Sequence, residues 1–254
     1  TVNDDKGFFH CFSTSEHGNI FDFLMKTQNL KFGEAVKTLA LQAGMRPYTF
    51  SKADEEREKA WKEYTGIYLD YVTFFHNELI NNPGSKKSLD YLKNRKLKFD
   101  IIKKFKLGYV NYNSNIYEKL EKKFGKKSVQ ECGIFYFDEK KNIYVDRFRD
   151  RIIFPINSIS GQPIAIGGRI MKNNSFFAKY INSPETQFFK KGSNLYNIEK
   201  ARGLSNKLDQ IFLVEGYMDV IGLSNNGIEN CVANLGTALT EEQIAILNQF
   251  FNEI

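Results

Sequence analysis

Cysteine, proline, histidine and tryptophan are all scarce in this 254-residue chain, which holds three Cys, five Pro, three His and one Trp. Three widely spaced cysteines, Cys11, Cys132 and Cys231, cannot build a disulfide framework, and a reducing compartment, the cytoplasm, is the simpler expectation. No apolar run approaches the roughly 18–20 residues that cross a bilayer, so neither a spanning helix nor a membrane partner is expected. The opening TVNDDKGFFHCF lacks the basic start and apolar centre of a secretory signal. It also lacks an initiator Met, so the sequence reads as beginning inside a longer protein. Internal repeats and low-complexity tracts are missing too. What is present, 42% hydrophobic and 26% charged residues, suits one large or two modest globular domains. Secreted, membrane and disordered classes are thereby excluded.

The excess of 36 basic over 30 acidic residues is mild, a net charge of +6. Its distribution is more informative. From Lys86 to Lys127 the chain carries dense lysines with few acids, interleaved with Tyr91, Phe99, Phe105, Tyr109 and Tyr112. Such a stretch offers stacking faces beside phosphate-binding ammonium groups, as single-strand binders do. It reads equally as the solvated faces of short helices whose aromatics are core.

Periodicity divides the chain. Residues 1–45 form a small unit: an extended stretch at 7–12, then a helix capped by Asn19 with Ile20, Phe23 and Leu24 at i, i+3, i+4. A second helix spans about 32–43 and ends before Gly44, and a linker is expected at 46–58. A longer helix then turns amphipathic through Ile67, Tyr71, Phe74 and Phe75. Two hairpins follow, 134–137 with 142–145 and 151–156 with 163–166. From residue 210 a β/α alternation begins: a buried strand to Val214, a helix over 217–223, a strand at 231–233 and a last helix started by a Thr240/Gln243 capping box. A third strand would start near Ile254.

The sharpest local feature is LVEGYMDV, residues 213–220. Glu215 leaves the end of a buried strand, and Asp219 lies one helical turn on, so both carboxylates can face the sheet's ligand-binding edge. Hard oxygen donors there suit Mg²⁺ or Mn²⁺. The plainer alternative is a helix-capping Glu215 and a surface Asp219. Arg147, Arg149 and Arg151 alternate along an extended segment, and three guanidinium forks on one face suit phosphate. A solvated face with ion pairs to Asp146 and Asp150 is the alternative. Glycines 167 and 168 before Arg169 suggest a strand that a ligand approaches closely.

EGYMD with VANLGTALT (232–240) resembles the Toprim domain of bacterial DnaG-type primases. DRFRDRIIFPI (146–156), IGGRI (166–170), KYINSPET (179–186) and FKKGSNLY (189–196) resemble the RNA polymerase domain of that family, in the same order. GFFHCFSTSEHGNIFDFLM resembles the end of its zinc-binding domain. The resemblance covers essentially the whole chain. It implies an α+β and α/β fold: a small N-terminal zinc-ribbon remnant with helices (1–45), the linker (46–58), a mixed primase core (59–207) and a partial Toprim sheet (208–254).

Function follows from the resemblance as expectation. The parent would be a DNA-dependent RNA polymerase that makes short RNA primers on a single-stranded DNA template from ribonucleoside triphosphates. It would meet the replicative helicase through a domain absent from this chain, at a bacterial replication fork in the cytoplasm. Glu215 matches the family's metal ligand or general base, and Asp219 a supporting acid for Mg²⁺ or Mn²⁺. An Asp-x-Asp pair on the next strand would supply the main metal carboxylates, so this stretch alone is expected to be catalytically incomplete. Arg147, Arg149, Arg151, Arg169, Lys179, Asn182 and Lys191 match positions that hold nucleotides and template. Cys11 matches one zinc ligand, but Thr14 stands where its partner Cys belongs. His17 is either a replacement ligand or, the reading preferred, a loop histidine. A Toprim nuclease or topoisomerase-like enzyme, or a non-catalytic single-strand-binding relic, are the rival expectations.

Overall fold

Short strands and capped helices build the first 45 residues. β1 (Val2–Asn3), β2 (Phe8–His10) and β3 (His17–Asn19) form an antiparallel sheet in that order. Asn19 then caps α1 (Ile20–Gln28): its side chain accepts from the Asp22 amide at 3.1 Å, while Asp22 accepts from the Asn19 amide at 2.8 Å. α2 (Phe32–Gln42) follows, and Gly44 takes a φ of +68° just past its end. Of the expected apolar stripe on α1, Leu24 is buried, whereas Ile20 and Phe23 stay about half exposed.

The computed structural model describes residues 1–3, 7–14, 16–45, 51–112, 114–171, 177–236 and 238–254. They divide into two units, Thr1–Arg57 and Glu58–Ile254. The division falls inside α3 (Lys52–Asn81), so residues 52–58 of the expected linker are helical. The cause is a reciprocal cap: Ser51 and Asp54 bond each other's amides at 2.9 and 3.3 Å. Residues 46–50 lie outside the described residues.

In the larger unit α3 is the spine. Tyr64, Ile67, Tyr68, Tyr71, Val72, Phe75 and Leu79 recur at helical spacing and are all buried. Three of its tyrosines also find polar partners, because a buried hydroxyl needs one. Tyr64 donates to the Ile164 carbonyl at 2.7 Å, Tyr68 to that of Cys132 at 2.9 Å, and Tyr71 to Asp146. α4 (Lys86–Asn94) and α5 (Phe99–Lys104) lead to β4 (Gly108–Val110). α6 (Ile116–Phe124) and α7 (Lys126–Glu131) precede the hairpin β5 (Phe135–Asp138) and β6 (Ile143–Asp146). β7 (Arg151–Asn157), β8 (Pro163–Ile170) and β9 (Tyr180–Asn182) complete an antiparallel sheet of order β4-β7-β8-β9.

After the single-turn α8 (Ile198–Ala201), β10 (Phe212–Val214) and β11 (Cys231–Ala233) pair in parallel around α9 (Tyr217–Asn225), as the buried-strand pattern implies. Successive β11 residues serve two cores. Cys231 and Ala233 join the main cluster with α3 and the antiparallel sheet, while Val232 packs with Ile198, Ile211, Leu247 and Phe251. The Thr240/Gln243 capping box opens α10 (Glu241–Asn248). Beyond it Glu253 bridges Gln210 in parallel.

Candidate functional site

The acidic end of the site is built by the strand-to-helix turn. β10 stops at Val214, Glu215 follows, and Gly216 serves as N-cap of α9 with no side-chain capping bond. Glu215 is therefore not a cap. It and Asp219 are both exposed. The Asp219 carboxylate folds back over the turn, with Oδ2 3.3 Å from where a Cβ on Gly216 would sit. The pair offers oxygen donors only, which fits Mg²⁺ held by one or two carboxylates plus substrate phosphates. Among the described residues no group of three or more His, Cys, Asp or Glu side chains gathers as a metal cluster.

The three alternating arginines border one recess but differ in burial. Arg147 and Arg149 sit on the loop between β6 and β7, where Asp150 takes a φ of +59°. Arg147 stacks over Tyr136 at 5.3 Å and Arg149 over Tyr112 at 5.0 Å. Both line a recess of about 300 Å³ with Asp150, Arg151, Ile170 and Phe177. Arg151 is the most buried of the three at 5% exposed, and its Nη1 donates to the Ala178 carbonyl at 3.0 Å and more weakly to those of Gly168 and Lys179. These bonds hold β7 to the chain around β9. Beneath the loop, Asp146 accepts from Tyr71 and, at 2.7 Å, from the Phe148 amide. Burial pushes its carboxyl up to about 7, although the Phe148 amide, Tyr71 and Arg149 pull the other way.

Arg169 is half-buried between two rings, 4.5 Å from Tyr91 and 5.9 Å from Tyr180, its cross-strand partner. Capping the end of α4, Arg95 lies 5.7 Å over the same Tyr91 ring and donates from Nε to the Tyr91 hydroxyl at 3.0 Å. Arg95 and Tyr91 thus join the basic surface. Sequence reasoning treats Tyr91 as one of several aromatics and does not single out Arg95; the i, i+4 spacing of the two is the available signal. Lys179 is exposed beside them. Asn182 ends β9, with its amide committed to the protein: Nδ2 donates to the Leu235 carbonyl at 2.8 Å and Oδ1 accepts from the Tyr217 hydroxyl. Lys191 opens a 3₁₀ turn whose backbone bonds Glu185 and Gln243.

The glycines of IGGRI serve packing and not a ligand. A Cβ on Gly167 would lie 2.5 Å from the Tyr217 ring, and one on Gly168 2.6 Å from Phe148. Within the 86–127 segment Phe105 is core, Lys98 donates to the Asn225 carbonyl, and Lys104 pairs with Glu229. Those lysines bind α5 to α9. Tyr112 and Phe99 remain exposed.

In the smaller unit Cys11 lies 3.1 Å from the Ser13 hydroxyl, and hydrogen bonds from Ser13 and Thr14 bring its thiol down to about 6. His17 is not in a loop: it opens β3 directly opposite His10, the rings 6.1 Å apart. The strand pairing of residues 8–10 with 17–19 imposes that position. One thiolate and the facing imidazoles do not amount to a four-ligand zinc site, so no role is derived through that metal.

The fold defines a class first: an antiparallel core joined to a parallel β/α unit that ends in exposed carboxylates. Three family models match in order along it: the CHC2 zinc finger over 1–56, the N-terminal domain of the DNA primase catalytic core over 74–202, and the Toprim domain over 209–254. The chain belongs to the DnaG-type DNA primase family. It is 38% identical over 251 residues to a DNA primase of Pseudomonas putida and 35% identical over 257 residues to that of Haemophilus influenzae. These alignments cover 96% and 97% of this chain but only 37% and 42% of those proteins, so it spans less than half their length. Among solved structures, a DnaG primase catalytic domain bound to single-stranded DNA superposes with a TM-score of 0.68 at 31% identity, covering 77% of this chain and 61% of that one. The zinc-binding and RNA polymerase domains of the Aquifex aeolicus primase match 98% of this chain and 59% of their own, with a TM-score of 0.65 at 30% identity.

Proposed function

We propose that the protein synthesises short RNA primers on single-stranded DNA from ribonucleoside triphosphates. The observation that carries this reading is the hydrogen bond from Tyr217 to Asn182. It brings the turn bearing Glu215 and Asp219 to β9, the strand that directly follows Lys179 and pairs with Arg169. Acids suited to a divalent cation and bases suited to polyphosphate thus lie on neighbouring elements of one core. Residues 1–45 act as the end of a zinc-binding domain, 59–207 as the first part of the polymerase core, and 208–254 as part of a Toprim subdomain.

In this reading Glu215, supported by Asp219, holds Mg²⁺ or Mn²⁺, which when bound polarises phosphoryl oxygens. Arg147, Arg149, Arg169 and Lys179 neutralise nucleotide and template charge, and Tyr112 offers a ring for a splayed base. Lys191, on its own 3₁₀ turn, is a further cation in this reading. Arg151 through Nη1 and Asn182 through both ends of its amide bond protein partners and act on structure. A replicative helicase as partner, and the bacterial cytoplasm as location, belong to the same reading.

Glu215→Gln in the full-length protein tests it. Primer synthesis from labelled ribonucleotides is expected to fall about 10²-fold or more, the scale of losing one electrostatic stabiliser of a transition state. Single-strand affinity stays within about twofold, because the carboxylate meets the cation and not the strand. Equal loss of both, or DNA nicking without RNA product by the wild type, contradicts the assignment.

A further inference from the structure

The hydroxyl of Tyr217 lies inside the acidic motif yet points away from the carboxylates, into the antiparallel sheet. Its ring is stacked on Phe154 at 5.4 Å and 11°, and Tyr196 meets it edge-on at 4.8 Å. It crosses β8 over Gly167, where any Cβ would collide with it. Gly167 is the cross-strand partner of Asn182. The ring therefore spans one strand through the gap a glycine leaves, and its hydroxyl reaches the side chain on the next. Asn182 passes the connection on, from Nδ2 to the Leu235 carbonyl just beyond β11. Gly236, at a φ of +74°, turns the backbone there, and its missing Cβ would stand 3.8 Å from that same Nδ2. Each polar end of the chain is spent within it, and Tyr217 is 6% exposed.

We infer that Tyr217 and Asn182 are positioning residues: together they tie the first turn of α9 and the loop after β11 to β9, and so fix where Glu215 stands relative to Arg169 and Lys179. Asn182 then acts through its two protein partners and not by touching a nucleotide. The consequence for catalysis rests on the primase reading above, whereas the tie itself is a property of the fold. A half-buried amide with both ends bonded sets one orientation of the two elements, since flipping it would leave a donor facing the Tyr217 hydroxyl and an acceptor facing a carbonyl.

Tyr217→Phe removes one oxygen and keeps the stacked ring, and Asn182→Ala removes the other member. In the full-length protein each variant is expected to lower kcat for primer synthesis by about tenfold, with nucleotide KM within about twofold, the pattern of misplacement and not of lost binding. The double variant should be no slower than the worse single one, because both break the same connection. A wild-type kcat in Tyr217→Phe, losses that multiply in the double variant, or a nucleotide KM that rises while kcat holds in Asn182→Ala overturns the inference. The melting temperatures of the four proteins decide the tie independently of activity. Non-additive shifts support it and additive ones overturn it, even if the wild type makes no primers and the primase reading falls.

Discussion

Asp146 shows what one buried carboxyl does to a polar loop. Its neighbours Arg147 and Arg149 face the recess, while Asp146 itself is 8% exposed beneath them and answered by Tyr71 and the Phe148 amide. Burial dominates over those bonds, so the carboxyl sits near 7 in the folded chain against 3.8 when free. Between these values the folded state holds a proton that the unfolded state has lost. Its stabilising effect is complete below about pH 4 and disappears as pH rises through about 7. A rise of that size puts a ceiling of about 4 kcal/mol on the effect. Asp146→Asn keeps an oxygen for both donors and cannot ionise. Urea denaturation should therefore find the variant similar to wild type below about pH 4 and more stable near pH 8, by an amount below that ceiling. Parallel pH profiles for the two proteins would remove the argument.

At the scale of elements, β4 meets α3 backbone against backbone. A Cβ on Gly108 would sit 2.9 Å from the Phe75 backbone carbon, 3.0 Å from the His76 nitrogen and 2.9 Å from an Ile153 side-chain carbon. Backbone cannot step aside as a flexible side chain does, and His76 bonds the Leu107 carbonyl at 2.7 Å across the same contact. Gly108→Ala should therefore destabilise by about 1–3 kcal/mol, as overpacking does. Gly203→Ala, with open space around its Cβ, should stay within about 0.5 kcal/mol in the same thermal melts. Equal melting temperatures for the two would contradict the packing argument. Local signals are the legible ones: the Asn19 and Thr240/Gln243 caps, the hairpin around 138–141 and the apolar β10 each depend on residues a few positions apart. What distant partners decide is not legible. Arg151 alternates with Arg149 on paper, but carbonyls 27 and 28 residues away claim its guanidinium. Gly167 looks like room for a ligand because nothing nearby in the chain announces a ring arriving from residue 217. The Ser51–Asp54 cap is as local as the others, and its spacing alone places the start of α3.

For the molecule as a whole, a net charge of +6 overstates and understates its affinity for a polyanion at once. It overstates it because cations such as Lys98, Lys104 and Lys123 are engaged with Asn225, Glu229 and Asp70. It understates it because Arg147 and Arg149 are stacked on tyrosines, where a guanidinium still presents its N–H edges to phosphate while the ring below restrains it. Binding of a single-stranded oligonucleotide to the full-length protein should weaken linearly in log–log terms with salt, by about 0.7 for each phosphate neutralised. Replacing Arg147 and Arg149 together with alanine should lower that slope by about 1.4 if each meets one phosphate. Lys98→Ala should leave the slope unchanged, because that ammonium is bonded to the end of α9 and serves the packing of α5. Affinities measured across a salt series separate the two cases. An unchanged slope in the double arginine variant, with a reduced one in Lys98→Ala, would move the strand off the β6–β7 loop and onto α5.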